Sequence, residues 1–113
     1  MDENSAGPDI ESDGARPDAR VIVKAGFYAG LQMPLQTAGL VIGRGREADL
    51  VIAESTISRT HARINSSEGE GWLVEDLGST NGTRVNGAQV ARQRLADGDE
   101  IRMGRLVLGI RLS

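Results

Sequence analysis

The sequence predicts an all-β domain built as a sandwich or barrel of short strands. Apolar and polar residues alternate over short runs, which is typical of half-buried strands. Most of these runs are separated by glycines, of which the chain has 15. No long stretch shows an amphipathic helical pattern. Because the alternating sets supply two apolar inner faces, a β-sandwich is favoured.

The alternation places ten strands along the chain. It is clearest near the C-terminus, where Leu106, Leu108, Ile110 and Leu112 share one face. In the run LQMPLQ, residues 31, 33 and 35 likewise point one way. The predicted strands span residues 20–24, 31–36, 40–42, 50–52, 61–65, 72–76, 83–85, 89–90, 100–103 and 105–112.

Two of the connections carry recognisable turn residues. Asn86 and Gly87 suit a two-residue type I′ hairpin, which needs a positive φ at both positions. The run ADGDE, residues 96–100, reads as a second turn. Its acidic residues lack the spacing of an EF-hand loop, so no metal site is assigned.

Length and composition narrow the class of protein. The 113 residues suit one domain with one modest core. Without cysteine there is no disulfide framework, thiolate nucleophile or cysteine-based zinc site. The longest apolar runs are far shorter than a membrane span, and the N-terminus lacks a basic region followed by an apolar one. We therefore expect a cytoplasmic protein without a membrane partner.

The charge is distributed unevenly. Residues 1–19 contain six acidic residues and one arginine, which gives a net charge of −5. Because the whole chain has a net charge of −3, residues 20–113 carry +2. This segment has almost no apolar residues and cannot offset its ordering entropy by burial. We predict a disordered acidic tail over 1–19 and a folded domain over 20–113.

Ser58 and His61, the single histidine, are the one candidate pair for nucleophilic catalysis. A catalytic triad also needs an orienting acid, an oxyanion hole and a serine on a strained turn. The motifs G-x-S-x-G and S-x-x-K are absent from the sequence. We predict that His61 fixes its loop by hydrogen bonding and that the protein is not an enzyme.

Three predicted loops carry donors suited to an anion. Gly43-Arg44 ends an apolar strand, where glycine allows a sharp turn and arginine can be aimed at an anion, but no Gly-Lys-Ser/Thr follows as in a P-loop. A second loop contains Ser58. The third, LGSTNGT, adds hydroxyls that a simple turn would not need. Together, one arginine, two hydroxyls and an asparagine amide suit a phosphate dianion.

These loops resemble those of the forkhead-associated (FHA) domain family. The resemblance runs through VIGRGREADLVI, STISRTHARI, WLVEDLGSTNGTRVNG and LADGDEIRMG, and covers residues 20–112. Each motif alone is unspecific, whereas their joint occurrence is specific. The resemblance implies an eleven-stranded, FHA/SMAD-like β-sandwich of two mostly antiparallel sheets, with binding loops at one end.

The family reads phosphorylated motifs, and the resemblance assigns roles residue by residue. Arg44, Ser58 and Thr80 would bind the phosphate of a phosphothreonine, and Arg59 would add a donor. Asn81 would hydrogen-bond the peptide backbone beside the phosphothreonine.

Three further residues would support the loops rather than touch the ligand. Gly43 and Gly82 would hold the backbone geometry, and His61 would buttress the loop that presents Ser58. Thr56 is proposed to influence peptide preference.

The sequence therefore predicts a non-catalytic signalling adaptor without a cofactor, whose partner is a phosphothreonine-containing protein, a Ser/Thr kinase or its substrate. The alternative is a scaffold that binds an unphosphorylated partner, or itself, through the same fold. Nucleic acid is disfavoured, because no basic patch with interleaved aromatic residues is evident.

Overall fold

A computed structural model describes residues 19–112, and every regular element in this range is a strand. The eleven strands are β1 (Arg20–Val23), β2 (Gln32–Pro34), β3 (Leu40–Gly43), β4 (Leu50–Val51), β5 (Ala62–Ser67), β6 (Gly71–Asp76), β7 (Thr83–Val85), β8 (Ala88–Val90), β9 (Arg92–Arg94), β10 (Glu100–Met103) and β11 (Leu106–Arg111). The predicted all-β class and the number of strands implied by the family resemblance are confirmed.

The strands form two sheets. A five-stranded sheet has the order β9-β6-β5-β3-β4, and a six-stranded sheet has the order β2-β1-β11-β10-β7-β8. All neighbours are antiparallel except β3 and β4, which run parallel with Ile42 opposite Leu50. The mostly antiparallel arrangement is therefore also as predicted.

Alternate residues of both sheets form the core. Ile42 and Ile64 from the five-stranded sheet, and Ile101 and Leu108 from the six-stranded sheet, are completely buried. Burying a side chain of this size contributes roughly 1.5–3 kcal/mol. The core thus holds the two sheets together and fixes the ends from which the loops emerge.

One strand was not predicted, and one predicted face is only partly buried. In β9 all three residues are exposed, so it shows no alternation; it pairs with β6 at the edge of its sheet. Leu31 precedes β2 and is 42% exposed, whereas Met33 is half-buried and Leu35 is buried. Leu112 is half-buried beyond the end of β11.

The Asn86-Gly87 turn is confirmed. Val85 pairs with Ala88, and φ is 51° at Asn86 and 91° at Gly87, as a type I′ turn requires. The Asn86 side chain donates to Asp99 Oδ1 at 2.9 Å and accepts from the Glu100 N–H at 2.9 Å. These bonds tie the hairpin to the second predicted turn. Across residues 19–112, no three histidine or acidic side chains cluster as metal ligands would.

The described chain begins inside the core. Ala19 is buried, and its carbonyl accepts a hydrogen bond from the Leu35 N–H at 2.9 Å. The packed region thus includes one residue that the sequence assigned to the acidic tail. The remaining 18 residues of that prediction, and Ser113, lie outside the described residues. No helix capable of crossing a membrane occurs within 19–112.

Three loops emerge at one end of the sandwich, here called the loop end: residues 44–49, 52–61 and 77–82. β3 and β4 run parallel and both end there. β5, antiparallel to β3, begins there, and β6, antiparallel to β5, ends there. The strand directions alone therefore bring the three predicted anion-binding loops together.

Candidate functional site

Loops 44–49 and 52–61 are joined by backbone hydrogen bonds. The Arg44 N–H donates to Ser58 O, and the Gly45 N–H donates to Arg59 O, both at 3.0 Å. A Cβ at Gly43 would lie 2.0 Å from Arg59 O. Only glycine allows this approach, which explains the predicted supporting role of Gly43.

Arg44 is oriented by the loop opposite it. Its Nε–H donates to Ile57 O at 3.1 Å, and the residue is exposed. Within residues 19–112, no carboxylate forms an ion pair with it. The terminal N–H groups of the guanidinium therefore remain available to an anion.

Arg59 differs from Arg44, because its guanidinium contacts Glu47 Oε2 at 3.3 Å in an exposed ion pair. The pKa of Glu47 is lowered. The largest cause is a hydrogen bond from the backbone N–H of Glu47 itself, followed by the hydrogen bond and the charge of Arg59. An anion would have to compete with this carboxylate, so Arg59 is less available than Arg44.

His61 joins two loops through both ring nitrogens. The Ser58 N–H donates to Nδ1 at 3.0 Å, and Nε2 lies 2.8 Å from Gly82 O. Because Nδ1 accepts, Nε2 carries the proton and donates to the carbonyl. The ring is completely buried. Since neither nitrogen bonds to the Ser58 hydroxyl, the geometry is that of a loop support rather than of a general base.

The Ser58 hydroxyl faces the third loop. Its Oγ accepts a hydrogen bond from the Thr80 N–H at 3.1 Å. Its own proton remains free to donate, and no hydrogen bond within 19–112 involves the Thr80 hydroxyl. Three of the four predicted phosphate-binding residues, Arg44, Ser58 and Thr80, thus belong to one connected group.

Asn81 spans from loop 77–82 to loop 52–61. Its Nδ2 donates to Thr56 O at 2.7 Å, and the residue is exposed. The second amide N–H and the amide oxygen have no partner among the described residues. Both remain free for a peptide backbone, the role that the resemblance implies.

Asp76, at the end of β6, organises loop 77–82. Its Oδ1 accepts the Gly78 and Ser79 N–H groups at 2.8 and 2.9 Å. Its Oδ2 accepts the Ser79 and Thr83 hydroxyls at 2.6 and 2.7 Å. Burial alone would raise the pKa of Asp76, but these hydrogen bonds outweigh it and lower the pKa below its ordinary value of 3.8.

Gly82 closes the same loop. Its N–H donates to Ser79 Oγ at 2.9 Å, and φ is +83°. A Cβ there would lie 2.9 Å from Gln89 Nε2. The positive φ favours glycine, whereas the exposed Gln89 side chain could move aside, so the backbone conformation is the reason for glycine here.

The turn between β10 and β11 also contributes to the loop end. The Thr56 hydroxyl donates to Glu54 Oε2 at 2.8 Å and accepts the Arg105 N–H at 2.8 Å. Arg105 Nε contacts the same Glu54 oxygen at 3.3 Å. Hydrogen bonds from Thr56 and, more weakly, Arg105 lower the pKa of Glu54. The effect of Thr56 on peptide preference stays a prediction.

Sequence reasoning missed Asp76 and the pair Glu54 and Arg105. For Asp76 a signal existed, because aspartate followed by small polar residues favours a turn in which the carboxylate accepts nearby backbone N–H groups. Glu54 and Arg105 are 51 residues apart. No local pattern links them, and only the fold brings them together.

The fold and the site define a class of protein: a β-sandwich with a cluster of polar loops at one end. The profile of the FHA domain family matches residues 40–104. The chain belongs to the FHA domain family.

Named relatives agree with this assignment. The oxoglutarate dehydrogenase inhibitor of Corynebacterium glutamicum is 37% identical over 110 residues, 94% of this chain and 76% of the relative. FhaB of Mycolicibacterium smegmatis is 37% identical over 93 residues, 81% of this chain and 59% of that protein. FhaA of Mycobacterium tuberculosis is 39% identical over 84 residues, 74% of this chain but only 16% of its own length. The chain thus spans part of the length of these FHA proteins.

Solved structures share the fold. The FHA domain of an Arabidopsis thaliana protein matches with a TM-score of 0.78 and 29% identity, over 89% of this chain and 91% of the other. EmbR of Mycobacterium tuberculosis, solved in complex with a low-affinity phosphopeptide, matches with a TM-score of 0.75 and 31% identity. The match covers 85% of this chain and 24% of EmbR.

Proposed function

We propose that the domain binds phosphothreonine-containing segments of partner proteins at the loop end and carries out no catalysis. Arg44, Ser58 and Thr80 bind the phosphate, with Arg59 as a secondary donor once it leaves Glu47. Asn81 binds the peptide backbone next to the phosphothreonine. Gly43, His61 and Gly82 hold the loops in place.

The observation that carries the proposal is the contrast between two neighbouring arginines. Arg59 forms an exposed ion pair with Glu47. Arg44 is exposed, held through Nε, and forms no ion pair within the described chain. A guanidinium held by the loop that presents Ser58, which is itself hydrogen-bonded to Thr80, suits the oxygens and the charge of ~−1.5 to −2 of a phosphate ester.

The shape of the loop end supports a peptide rather than a small ion as the ligand. An open groove of about 660 Å³ runs along loop 77–82 and is bordered by Gln89, Val90 and Ala91. The free amide groups of Asn81 lie on the same loop. An extended segment lying in this groove would contact Thr80 and Asn81, whereas Arg44 and Ser58 do not line it.

The expected affinity is modest. Hydrogen bonds to a charged group contribute roughly 1.5–3 kcal/mol each, whereas ordering a peptide and losing its freedom cost a substantial part of that gain. Three or four such bonds correspond to binding in about the micromolar range. The partner we propose is a Ser/Thr kinase or a kinase substrate in the cytoplasm, bound transiently.

Replacing Arg44 by alanine tests the site. We expect Arg44→Ala to weaken binding of a phosphothreonine peptide by about 10- to 150-fold, as the loss of one charge-assisted bond implies. Isothermal titration with one peptide in phosphothreonine, phosphoserine and unphosphorylated forms measures this.

Arg94→Ala is the matched control, because Arg94 is an exposed arginine of β9 outside the loop end. We expect it to leave affinity unchanged. Equal binding of the phosphorylated and bare peptides would contradict the proposal and favour the scaffold alternative.

A further inference from the structure

The outer face of the six-stranded sheet is strongly basic. In β10, Ile101 and Met103 are buried whereas Arg102 is exposed, and in β7 the exposed Arg84 lies directly opposite Arg102. Like charges directly opposite each other in an antiparallel pair destabilise a sheet. This pair therefore gains from an anionic partner.

That face also carries Lys24, Arg111 and, opposite Arg111 in β1, Arg20. Lys24 follows β1, its N–H donates to Val107 O at 2.8 Å, and its side chain lies over β11. A Cβ at Gly109 would come within 2.9 Å of Lys24 Cδ, so this glycine leaves room for the lysine stem. Arg111 is exposed on the same side of β11. We call Lys24, Arg84, Arg102 and Arg111 the basic face.

The arginines on the outer face of the five-stranded sheet are mostly paired. Arg63 pairs with Glu75 at 3.0 Å and Arg92 with Glu70 at 2.8 Å, whereas Arg94, on the same side of β9 as Arg92, forms no ion pair within 19–112. None of the four residues of the basic face forms an ion pair within 19–112. The one acidic residue among its outward positions is Glu100, opposite Gly109.

We propose that the basic face binds the chain's own acidic N-terminal segment, residues 1–18. That segment has six acidic residues and one arginine, hence a net charge of −5, against four positive charges on the face. It joins the folded domain at Ala19, immediately before β1 of this same sheet. Opposite charge and direct attachment both favour this segment over a separate partner.

The segment is long enough to cover the face. Eighteen residues span at most ~60 Å when extended, at ~3.3 Å per residue. From Arg111 to Val107, which lies opposite Arg102, the distance along β11 is about 13 Å. Every cation of the basic face is therefore within reach.

Covalent attachment makes the contact effective although each exposed ion pair is weak. A tether of this kind gives an effective concentration of about millimolar. The segment also repels other polyanions, including nucleic acid, from the basic face. Since the screening length falls from ~10 Å at 0.1 M salt to ~3 Å at 1 M, the contact must be lost at high salt.

A spin label on the acidic segment tests the proposal in the full chain. The protein has no cysteine, so Ser5→Cys provides a unique attachment site. At low salt we expect paramagnetic broadening of backbone amide signals at Arg84, Arg102 and Gly109. The broadening should disappear at about 1 M salt.

Two charge variants of the folded domain control for position. The first variant combines Arg84→Gln with Arg102→Gln on the basic face, and it should abolish the broadening. The control combines Arg63→Gln with Arg92→Gln, which removes the same charge from the five-stranded sheet, and it should preserve the broadening. Amide spectra report whether each variant is folded.

A third variant leaves the folded domain unchanged. Asp9→Asn with Glu11→Gln and Asp13→Asn should remove the broadening in the same way as high salt. The proposal is overturned if broadening is absent at low salt, is independent of salt, or falls on loops 44–49 and 77–82 instead. It is also overturned if a polyglutamate or oligonucleotide shifts the basic-face amides equally with and without the three acidic side chains.

Discussion

At the scale of single residues, the clearest feature is that His61 serves two loops at once. Its ring accepts from the Ser58 N–H and donates to Gly82 O, and no part of it is exposed. A neutral imidazole with a fixed tautomer is needed for both bonds. The position of Ser58 relative to loop 77–82 therefore depends on a side chain that does not contact the ligand.

Replacing His61 by alanine should affect stability and binding together. We expect His61→Ala to lower the free energy of unfolding by about 2–4 kcal/mol, because it leaves a cavity and two buried backbone groups without their partner. Phosphopeptide affinity should also fall in the protein that remains folded. Urea unfolding and a peptide titration at low temperature measure the two effects. An unchanged affinity would mean that the loops hold their positions without the ring.

The positions of the loops that carry short motifs could be predicted from the sequence, whereas the ligand-binding roles of their residues stay predictions. The loops that carry Arg44, Ser58, Thr80 and Asn81 meet as the joint motif implied. The ion pair of Arg59 with Glu47 was not foreseen, since nothing in a twelve-residue separation fixes which side chain an exposed arginine meets.

At the scale of structural elements, loop 77–82 is shaped by a charge at its base. The Asp76 carboxylate accepts two backbone N–H groups and two hydroxyls. These four donors set the path of the loop before Thr80 and Asn81 are reached. A carboxylate at this place therefore positions the loop without needing to touch a ligand.

The Asp76 carboxylate should make stability depend on pH. Its pKa is lowered in the folded state from 3.8, so its contribution is fully present above that value and is lost as the pH falls through the folded pKa. We expect Asp76→Asn to cost about 2 kcal/mol at pH 7. The difference from the wild type should shrink progressively as the pH falls below 3.8.

Urea unfolding from pH 7 to pH 2.5 measures this difference. Glu68→Gln is the control, because Glu68 is exposed in the β5–β6 turn and should leave the profile as in the wild type. A difference between wild type and Asp76→Asn that is constant at every pH would show that the negative charge of Asp76 does not contribute.

The strands themselves were predictable where one face is buried. β10 shows the alternation plainly, whereas in β11 the outward Val107 is buried together with Leu106 and Leu108. β9 reads Arg-Gln-Arg with every side chain exposed, so its sequence carries no such signal and its pairing with β6 follows from the fold. The parallel pairing of β3 and β4 was likewise hidden, because it depends on the short crossover between them.

At the scale of the whole molecule, the core and the contacts between the loops are built differently. The core lies between the sheets and includes Ile52 and Ile57 of loop 52–61, whereas the three loops are joined to one another by polar bonds. Stability can therefore change without a change in recognition.

Ile101 tests this separation. It is completely buried on β10, between β7 and β11. We expect Ile101→Ala to cost about 2–5 kcal/mol of unfolding free energy while phosphopeptide affinity stays within twofold of the wild type under folding conditions. Thermal unfolding and calorimetric titration measure both. A large loss of affinity in the folded variant would mean that core packing is transmitted to the loops.

The hydrogen bonds at the loop end have a kinetic consequence. The backbone N–H groups of Arg44, Gly45, Ser58, Thr80 and Gly82 are all engaged in hydrogen bonds within the protein. The loop end is therefore preorganised, and most of the entropic cost of binding comes from ordering the incoming peptide. Phosphopeptides that compete for this domain should therefore differ mainly in their dissociation rate constants and little in their association rate constants.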